Sequence, residues 1–479
     1  MSKEILIDAS PREKRAAVVE NGRLEEFYIE RPQDKTIVGN IYKGAIEAVL
    51  PSIGAAFVDI GLPKKGFLYL SEIEEYFEAI NAKPVAVKDI KKGQEILVQV
   101  VKESFGTKGP RLTCQIGIAG RYLVLMPQEK EVGVSRRIDE DEERKRLKVI
   151  LHELKNTHGV GFIVRTAAAG KSSQELSRDA VFLTKLWKRM EKISQSKKAP
   201  CLVYEEYDLT LRTIRDSFTD DVSKLVVNSK EEFYRIRRFM NTFLSYLSRK
   251  VELYRGHDLF EEKDIERQIL RVFENRVYLK SKAYLIIEPT EGLVVIDVNS
   301  GGFKKSLNQE EAAFRVNCEA ALEVAHQLKL RDLGGIIVID FIDMGKEQHR
   351  REVLAVLKKA LSLDKAKYDI VGISKFGVVE MTRERVHNTV ATLSYQPCPY
   401  CQGRGRIKSA LTVSITALKE LQKFLRAKPL RQVTLTLNPA VIDELLRERA
   451  AIGSIERTFR TKVNLVSDPS THIETVKIS

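Results

Sequence analysis

The sequence predicts a multi-domain protein that combines α/β and α+β domains. Three observations lead to this fold class. The chain has 479 residues, which is long enough for about two to four domains of ordinary size. Short β segments broken by glycine and proline recur through residues 35–116. A strand–helix–strand pattern between residues 284 and 340 predicts two parallel strands joined by a crossover helix.

The composition is typical of a folded protein that works in water. Hydrophobic residues make up 43% of the chain and charged residues 30%. No stretch reaches the roughly 18 apolar residues that cross a bilayer. The opening MSKEILIDAS has no apolar signal core, and the five cysteines are scattered apart from one pair. These features argue against a membrane protein, a secreted protein and a disulfide framework, and they predict a cytoplasmic location.

The charge balance is strongly basic. The chain carries 80 lysines and arginines against 66 acidic residues, a formal net charge of +14. Such an excess favours a polyanionic partner, and nucleic acid is the foremost candidate. The alternative is a basic cytosolic protein with no such partner.

Residues 35–116 are predicted to form a small barrel of about five strands, for which the OB fold is the best match. Phe57 and Phe67 lie in these strands. The neighbouring lysines are Lys43, Lys64, Lys65, Lys102 and Lys108. An aromatic platform rimmed by lysines suits the stacking of unpaired bases. The alternative is that both phenylalanines belong to the barrel core.

The other segments differ in character. Residues 1–34 read as short strands with a hairpin turn at Asn21-Gly22. Residues 117–210 are mixed α/β, and residues 211–275 are partly helical. Within 117–210 a strand ends at Arg165 and Thr166, where an arginine and a hydroxyl could grip a phosphate. The alternative for these two residues is surface positioning or capping.

Two apolar strands in residues 276–395 end in carboxylates. The segment VVIDVN ends with Asp297 and Asn299, and IIVID ends with Asp340. If the intervening helix is a crossover, both strands finish at the same edge of one sheet, about 4.8 Å apart. Two such carboxylates favour Mg²⁺ or Mn²⁺, and Asn299, on the same face as Asp297, could orient a phosphate. The alternative is that each aspartate only caps its strand.

Cys398 and Cys401 form a Cys-Pro-Tyr-Cys motif within the link 396–406, ahead of a small α+β unit at 407–479. The motif alone is compatible with a dithiol redox centre. Gly403 and Gly405, however, disfavour the helix that such a centre requires. Because structural zinc takes four ligands, two cysteines from each of two chains would complete a site, which predicts a dimer sharing one Zn²⁺.

Taken together, these segments resemble the bacterial ribonuclease E/G family over nearly the whole chain. The strings that carry the resemblance are NIYKGAIEAVLPSIGAAFVDIG, RYLVLMP, VSRRI, IVRTA, VVIDVNS, LRDLGGIIVIDFIDM and CPYC. The resemblance implies an endoribonuclease that cleaves single-stranded, A/U-rich RNA, including ribosomal RNA precursors and messenger RNA. A water activated by Mg²⁺ would attack, leaving a 5′-phosphate and a 3′-hydroxyl.

The resemblance also implies a role for each candidate residue. Asp297 and Asp340 would hold the magnesium, and Asn299 would assist at the phosphate. RNA would bind the OB fold through Phe57, Phe67, Lys102 and Lys108. A sensor for a 5′-monophosphate would consist of Gly120, Val124, Arg136, Arg165, Thr166 and the residue at Lys367. At that last position the family often has arginine, and lysine keeps the charge but loses the bidentate fork.

Finally, the resemblance rearranges the domains. Residues 1–34 and 211–275 would join as one ribonuclease H-like subdomain, with the OB fold (35–116) and the 5′-sensor (117–210) inserted between them. Residues 276–395 would be a deoxyribonuclease I-like catalytic domain. Cys398 and Cys401 would match a zinc link between two protomers, with tetramers formed from such pairs. A non-catalytic RNA-binding assembly factor is the alternative function.

Overall fold

The structure is a computed structural model. It describes residues 2–81, 86–104, 108–128, 132–243, 245–290, 292–301, 308–374, 377–384, 395–396, 398–447 and 449–479. The chain divides into two compact units, residues 1–393 and 394–479. Among the described residues, no helix is long and apolar enough to cross a membrane.

The first sheet combines strands from two distant parts of the chain. Its five strands, in spatial order, are Val251–Leu253, Val222–Val227, Lys3–Ala9, Lys14–Glu20 and Arg23–Glu30. The hairpin predicted at Asn21-Gly22 is confirmed, since both residues have positive φ, 50° and 80°. The helices that accompany this sheet are Leu209–Ser217, Lys230–Phe243, Leu259–Glu262 and Ile265–Val272. The ranges 1–34 and 211–275 therefore share one sheet and its cores.

The second sheet is a closed barrel. Its strands, in order, are Cys201–Tyr204, Ile41–Leu50, Ala55–Asp59, Gly66–Tyr69, Arg111–Thr113 and Glu95–Lys102. The strand Ile41–Leu50 also pairs with Glu95–Lys102, which closes the barrel. Helix Leu70–Asn81 follows the strand Gly66–Tyr69. One strand was misplaced by sequence: Cys201–Tyr204 falls in the range 117–210 but pairs with the barrel, a partnership that so short a segment does not reveal.

Residues 118–196 form a third layer, with two helices packed on a four-stranded sheet. The strands, in order, are Gly133–Val134, Gly161–Val164, Leu123–Met126 and Ile118–Ala119. Helix Asp141–His158 begins with three acidic residues and ends at Gly159 in the left-handed conformation, as the helix dipole and capping rules favour. Helix Ser173–Ser196 starts with a capping box between Ser172 and Glu175.

The fourth sheet has six strands. Their order is Arg276–Tyr278, Tyr284–Pro289, Leu293–Asn299, Gly335–Asp340, Val378–Arg383 and Tyr368–Ile373. Helices Gln309–Leu330 and Glu347–Leu361 supply buried residues to the core of this sheet. Asn308 caps the first helix by accepting a hydrogen bond from the Glu310 N–H, as predicted. We call this layer the carboxylate sheet.

The unit 394–479 has its own α+β core. Its helices are Ala410–Ala427, Pro439–Arg447 and Arg449–Phe459, and its strands, in order, are Lys462–Ser467, Gln432–Leu437 and Lys477–Ile478. Short 3₁₀ helices elsewhere in the chain span Pro32–Asp34, Pro51–Ile53, Val87–Asp89, Thr166–Ala168 and Ser245–Lys250.

Asp208 joins the separate segments of the first sheet. Its carboxylate accepts hydrogen bonds from Lys14 at 2.8 Å, from Arg235 at 2.6 Å and from the Leu211 N–H at the start of a helix. Burial alone would raise the pKa of this carboxyl, but Arg235 and Lys14 lower the pKa to about 2. The charged form is therefore strongly preferred in the folded protein.

We expect Asp208→Asn to lower the free energy of unfolding at pH 7 by about 2 kcal/mol, because the folded pKa lies below the unfolded one. This contribution is present above about pH 4 and is lost as the pH falls towards 2. Urea titrations of the wild type and the variant at pH 7 and pH 3 measure it. The exposed pair of Glu311 and Arg315 provides the control, and Glu311→Gln should change stability by about 0.5 kcal/mol or less. Equal losses in both variants would contradict the role of Asp208.

Candidate active site

The two aspartates lie opposite each other on neighbouring parallel strands. The strands Leu293–Asn299 and Gly335–Asp340 pair in parallel, and their register places Asp297 beside Asp340. Tyr284–Pro289 pairs antiparallel with Leu293–Asn299. Both relations were predicted from sequence and are confirmed. At the usual strand spacing of about 4.8 Å, the two carboxylates can approach a single ion.

The carboxylates occupy the open face of the sheet. Ile296, Val298 and Ile339 are buried in the core beneath the helices. Because side chains alternate along a strand, Asp297, Asn299 and Asp340 point away from that core, and each is at least partly exposed. We call this surface the open face of the carboxylate sheet. A substrate can reach the carboxylates without entering the protein.

The electrostatics of the pair suit a hard cation. Partial burial and the carboxylates of Asp297 and Asp343 raise the pKa of Asp340. The Asn299 amide donates a hydrogen bond to Asp297 Oδ2 at 2.8 Å. In the described part of the chain, no basic side chain forms an ion pair with these aspartates, and no group of three His, Cys, Asp or Glu that could hold a metal is found. Two carboxylates fit Mg²⁺, which keeps water and phosphate oxygens as its other ligands.

The loop after Asp340 is held by residues that the sequence analysis missed. The Asn317 side chain, fully buried, donates to the Ile342 carbonyl at 2.7 Å and accepts from the Ile342 N–H at 3.0 Å. The Glu310 carboxylate accepts from two backbone N–H groups, at 345 and 346, and contacts His349 Nδ1 at 2.9 Å. A polar asparagine on the buried stripe of a helix was the available signal for Asn317.

Gly301, which follows Ser300, is required by the geometry of the turn. Gly301 has φ of 55°, and a Cβ there would lie 2.4 Å from the Lys282 carbonyl oxygen. A side chain at this position would collide with the backbone.

The barrel presents an aromatic row on its surface. Phe57 and Phe67 are opposite each other on neighbouring strands, with ring centroids 6.2 Å apart, and both are half-buried. Neither belongs to the barrel core, so the core alternative is wrong. Tyr69 continues the row at 5.1 Å from Phe67, and Arg111 lies 5.0 Å from the Tyr69 ring. The period-2 spacing of Phe67 and Tyr69 could have revealed this third ring from sequence.

The predicted lysine rim is only partly available. Lys102 and Lys108 are exposed. Lys65 instead pairs with Glu47 and Asp59, and Lys43 pairs with Glu95 at 2.6 Å. Lys43 and Lys65 are therefore engaged by acidic side chains of the barrel.

Arg165 lies at the meeting point of two segments. Its guanidinium donates to the Gly120 carbonyl and to Asp216 Oδ1, both at 2.6 Å. Gly120 has no room for a side chain, since a Cβ would lie 2.6 Å from the Asp179 carboxylate oxygens. Asp179, buried and missed by sequence, accepts the N–H groups of residues 121–123 and so shapes the turn that follows Gly120.

Of the other candidate sensor residues, Val124 lies on the strand Leu123–Met126, and Arg136, Thr166 and Lys367 lie outside the strands. Thr166 Oγ1 is 3.2 Å from Ser135 Oγ, next to the exposed Arg136. Arg137 in turn donates to the carbonyls of Lys365 and Ala366, immediately before the exposed Lys367. Val124 pairs with Ile163 on the adjacent strand. Hydrogen bonds thus connect the segments around residues 135, 166 and 366, which are far apart in sequence. Arg165 itself is paired with Asp216.

Cys398 and Cys401 lie in a turn rather than on a helix. Gln402, Gly403 and Gly405 all have positive φ, and the next helix begins only at Ala410. The helix that a dithiol redox centre requires is therefore missing at the described motif, as the glycines predicted. Hydrogen bonds from the backbone N–H groups of Cys401 and Tyr400 lower the pKa of the exposed Cys398 thiol. A thiol that readily ionises suits metal coordination.

Three family models match the chain. The model described as "Ribonuclease E/G family" matches residues 117–386, more than half of the chain. An "S1 RNA binding domain" model matches residues 35–115, and an "RNase E/G, Thioredoxin-like domain" model matches residues 397–479. The barrel described above corresponds to the S1 match.

Comparison with individual proteins identifies the same family. The chain is 41% identical to Ribonuclease G of Haemophilus influenzae over 455 residues, covering 93% of this chain and 92% of that protein. It is 39% identical to Ribonuclease G of Escherichia coli K12 over 481 residues, covering 98% of each. It is 38% identical to Ribonuclease E of E. coli K12 over 482 residues, covering 99% of this chain and 45% of that protein.

Proposed function

Because the chain belongs to the ribonuclease E/G family and is an endoribonuclease, we propose that it hydrolyses single-stranded, A/U-rich RNA at a magnesium centre on the carboxylate sheet. The products are a 5′-phosphate and a 3′-hydroxyl. Its substrates are precursors of ribosomal RNA and messenger RNAs, so it acts in rRNA processing and RNA degradation. The observation that carries the proposal is the parallel register that pairs Asp297 with Asp340.

Each residue of the centre has a distinct task. Asp297 and Asp340 hold the magnesium through carboxylate oxygens. When bound, the ion supplies Lewis acidity at the phosphoryl oxygen and a lowered pKa for a bound water. Asn299 keeps Asp297 oriented through its 2.8 Å hydrogen bond and presents its amide to the phosphate. Since all three side chains stand on paired strands, their spacing is held by the sheet.

The barrel holds the RNA strand. Phe57 and Phe67 offer ring faces to unpaired bases, and Lys102 and Lys108 neutralise backbone phosphates. The match to an S1 RNA binding domain supports this assignment. A purely RNA-binding assembly factor would use the same surface. It would have no use for the neighbouring carboxylates of Asp297 and Asp340, which form no ion pair with any residue that the structure describes.

We also propose a 5′-monophosphate sensor built from Gly120, Val124, Arg136, Arg165, Thr166 and Lys367. The hydrogen bonds that connect their loops support the grouping. Lys367 contributes charge without the planar fork of arginine, so Arg165 and Arg136 provide the bidentate contacts. Stimulation by the 5′-phosphate is therefore carried mainly by the two arginines.

The two cysteines form half of a structural zinc site. Cys398 and Cys401 supply two thiolates, and a second chain supplies two more to complete four ligands. The remaining cysteines are distributed over separate elements: Cys114 after a barrel strand, Cys201 in another strand and Cys318 in a helix. We therefore propose a homodimer that shares one Zn²⁺, and the family resemblance adds homotetramers built from such pairs.

Asp297→Asn should abolish cleavage, with a rate loss of at least about a hundredfold, because one metal-binding carboxylate is removed. RNA binding should persist, since the barrel is untouched. The assay is cleavage of a short 5′-monophosphorylated single-stranded RNA with Mg²⁺, then with EDTA. Asp369→Asn, on the opposite end of the same sheet, is the matched control. Undiminished turnover in Asp297→Asn, or cleavage insensitive to EDTA, would refute the metal centre.

Arg165→Ala should narrow the difference in cleavage rate between 5′-phosphate and 5′-hydroxyl RNA, because the bidentate donor is lost. Arg165→Lys should restore only part of that difference. Paired kinetic measurements on both RNAs provide the readout, and Arg178→Ala, exposed on the helix Ser173–Ser196, is the control. A difference that survives in Arg165→Ala would remove this residue from the sensor.

Metal analysis of the purified protein should find one zinc per two chains. In Cys398→Ser the zinc should be lost and the protomer pairs should dissociate, because two thiolates cannot hold the ion alone. Sedimentation velocity measures the second effect, with Cys318→Ser as the control cysteine. Zinc bound stoichiometrically to monomers would contradict the shared site.

A further inference from the structure

Three side chains on the open face of the carboxylate sheet have no task in the function proposed so far. They are Arg276, Tyr278 and Tyr284, on the edge strand Arg276–Tyr278 and its neighbour. Val277 and Leu285, which alternate with them, pack into the core beneath the helices. The three therefore point to the same side as the carboxylates.

The strand register places these side chains in two rows that lead directly to the catalytic residues. One row runs from Tyr278 to Tyr284 and on to Asn299. The other runs from Arg276 through Ile286 to Asp297 and Asp340. Tyr284 is the direct cross-strand neighbour of Asn299, and Arg276 lies two strand spacings, about 10 Å, from Asp297.

The three side chains form one compact cluster. The Arg276 guanidinium lies 4.5 Å from the Tyr284 ring centroid, and the two tyrosine rings are 6.1 Å apart at 57°. Tyr278 is 67% exposed, and Arg276 is exposed as well. Because Tyr278 and Arg276 are exposed and Tyr284 is only half-buried, the cluster contributes little to the core. Its position on the same face as the carboxylates needs another explanation.

We propose that Arg276, Tyr278 and Tyr284 form a nucleotide subsite that stacks a base next to the scissile phosphate and contacts the adjoining backbone phosphate. The inference deepens the proposed function and rests on it. Aromatic rings stack on any unpaired base, and an arginine adds both a cation–π contact and a phosphate contact. The subsite would hold the RNA strand in register over Asp297 and Asp340, while the barrel holds a more distant part of the same strand.

RNA is a better occupant of this surface than a protein partner. The rows end at the carboxylate pair, so any bound chain that follows them passes over the proposed hydrolytic centre. Arg276 adds positive charge on the same face, two strand spacings from Asp297, which suits a polyanion that lies along the row. The chain as a whole carries +14, which favours the same ligand.

The test measures how tightly protein variants bind RNAs that each lack one base. A 5′-monophosphorylated single-stranded RNA with a known cleavage position is made in versions that each lack one base near that position. Binding is measured by fluorescence anisotropy in EDTA, where no cleavage occurs. For the wild type, one abasic position beside the scissile bond should raise Kd about tenfold, the effect of losing one base–aromatic stack.

Tyr284→Leu should raise Kd for the intact RNA about tenfold, and the same abasic substitution should then have no further effect. Tyr284→Phe keeps the ring and should behave as the wild type does. Tyr278→Leu and Arg276→Gln, on the exposed edge strand, test the same coupling if Tyr284→Leu does not fold. Tyr234→Leu removes a tyrosine that is 57% exposed on another helix, and it should leave the abasic profile unchanged.

Two results would overturn the subsite. One is an abasic profile that is identical in the wild type and in all three subsite variants. The other is a change of oligomeric state in these variants, by sedimentation, with an unchanged abasic profile, which would identify the cluster as a contact between copies of the chain. Failure of the proposed function is separate: it would appear as a wild type that cleaves no RNA with Mg²⁺, whatever the binding profile.

Discussion

The parallel pairing of two β-strands is the constraint on which the candidate site depends. Leu293–Asn299 and Gly335–Asp340 are connected by the helix Gln309–Leu330, which buries Ala313, Val316, Ala320, Val324 and Leu328 against the sheet. A slip of one residue in either strand would turn its apolar side chains to solvent and its carboxylate to the core. Burial of Ile296 and Ile339 therefore secures the register that sets Asp297 beside Asp340.

The same pairing creates an electrostatic conflict, and no basic side chain within the described residues forms an ion pair with either aspartate. Partial burial and then the carboxylates of Asp297 and Asp343 raise the pKa of Asp340, which favours the uptake of a proton or a cation. Hydrogen bonds fix the loop that follows Asp340. Asn317 fixes Ile342 at both its N–H and its carbonyl, and Glu310 holds the loop two residues beyond Asp343. A site that keeps neighbouring carboxylates at a fixed spacing is suited to a divalent ion.

Long-range ion pairs connect segments that the chain separates. Asp208 links Lys14 on the first sheet to Arg235, and Asp216 pairs with Arg165 across a boundary between two layers. Arg121 is buried at the same boundary and donates to the carbonyls of Arg215 and Phe218. These contacts explain how a sheet built from residues near 1–30 and 209–272 accommodates two inserted layers.

The sequence by itself determined the elements whose patterns are local. Local patterns predicted the two strands VVIDVN and IIVID, the helix between them and the glycine-rich turn after Cys401. They could do so because burial periodicity and φ preference act over a few residues. Only the tertiary structure decided which strands pair and which side chains contact each other. Cys201–Tyr204 joined the barrel, Glu47, Asp59 and Glu95 neutralised two rim lysines, and Tyr284 came to lie beside Asn299. Those outcomes depend on strand register and on contacts across hundreds of residues, and no local pattern encodes which charge or ring will stand opposite another.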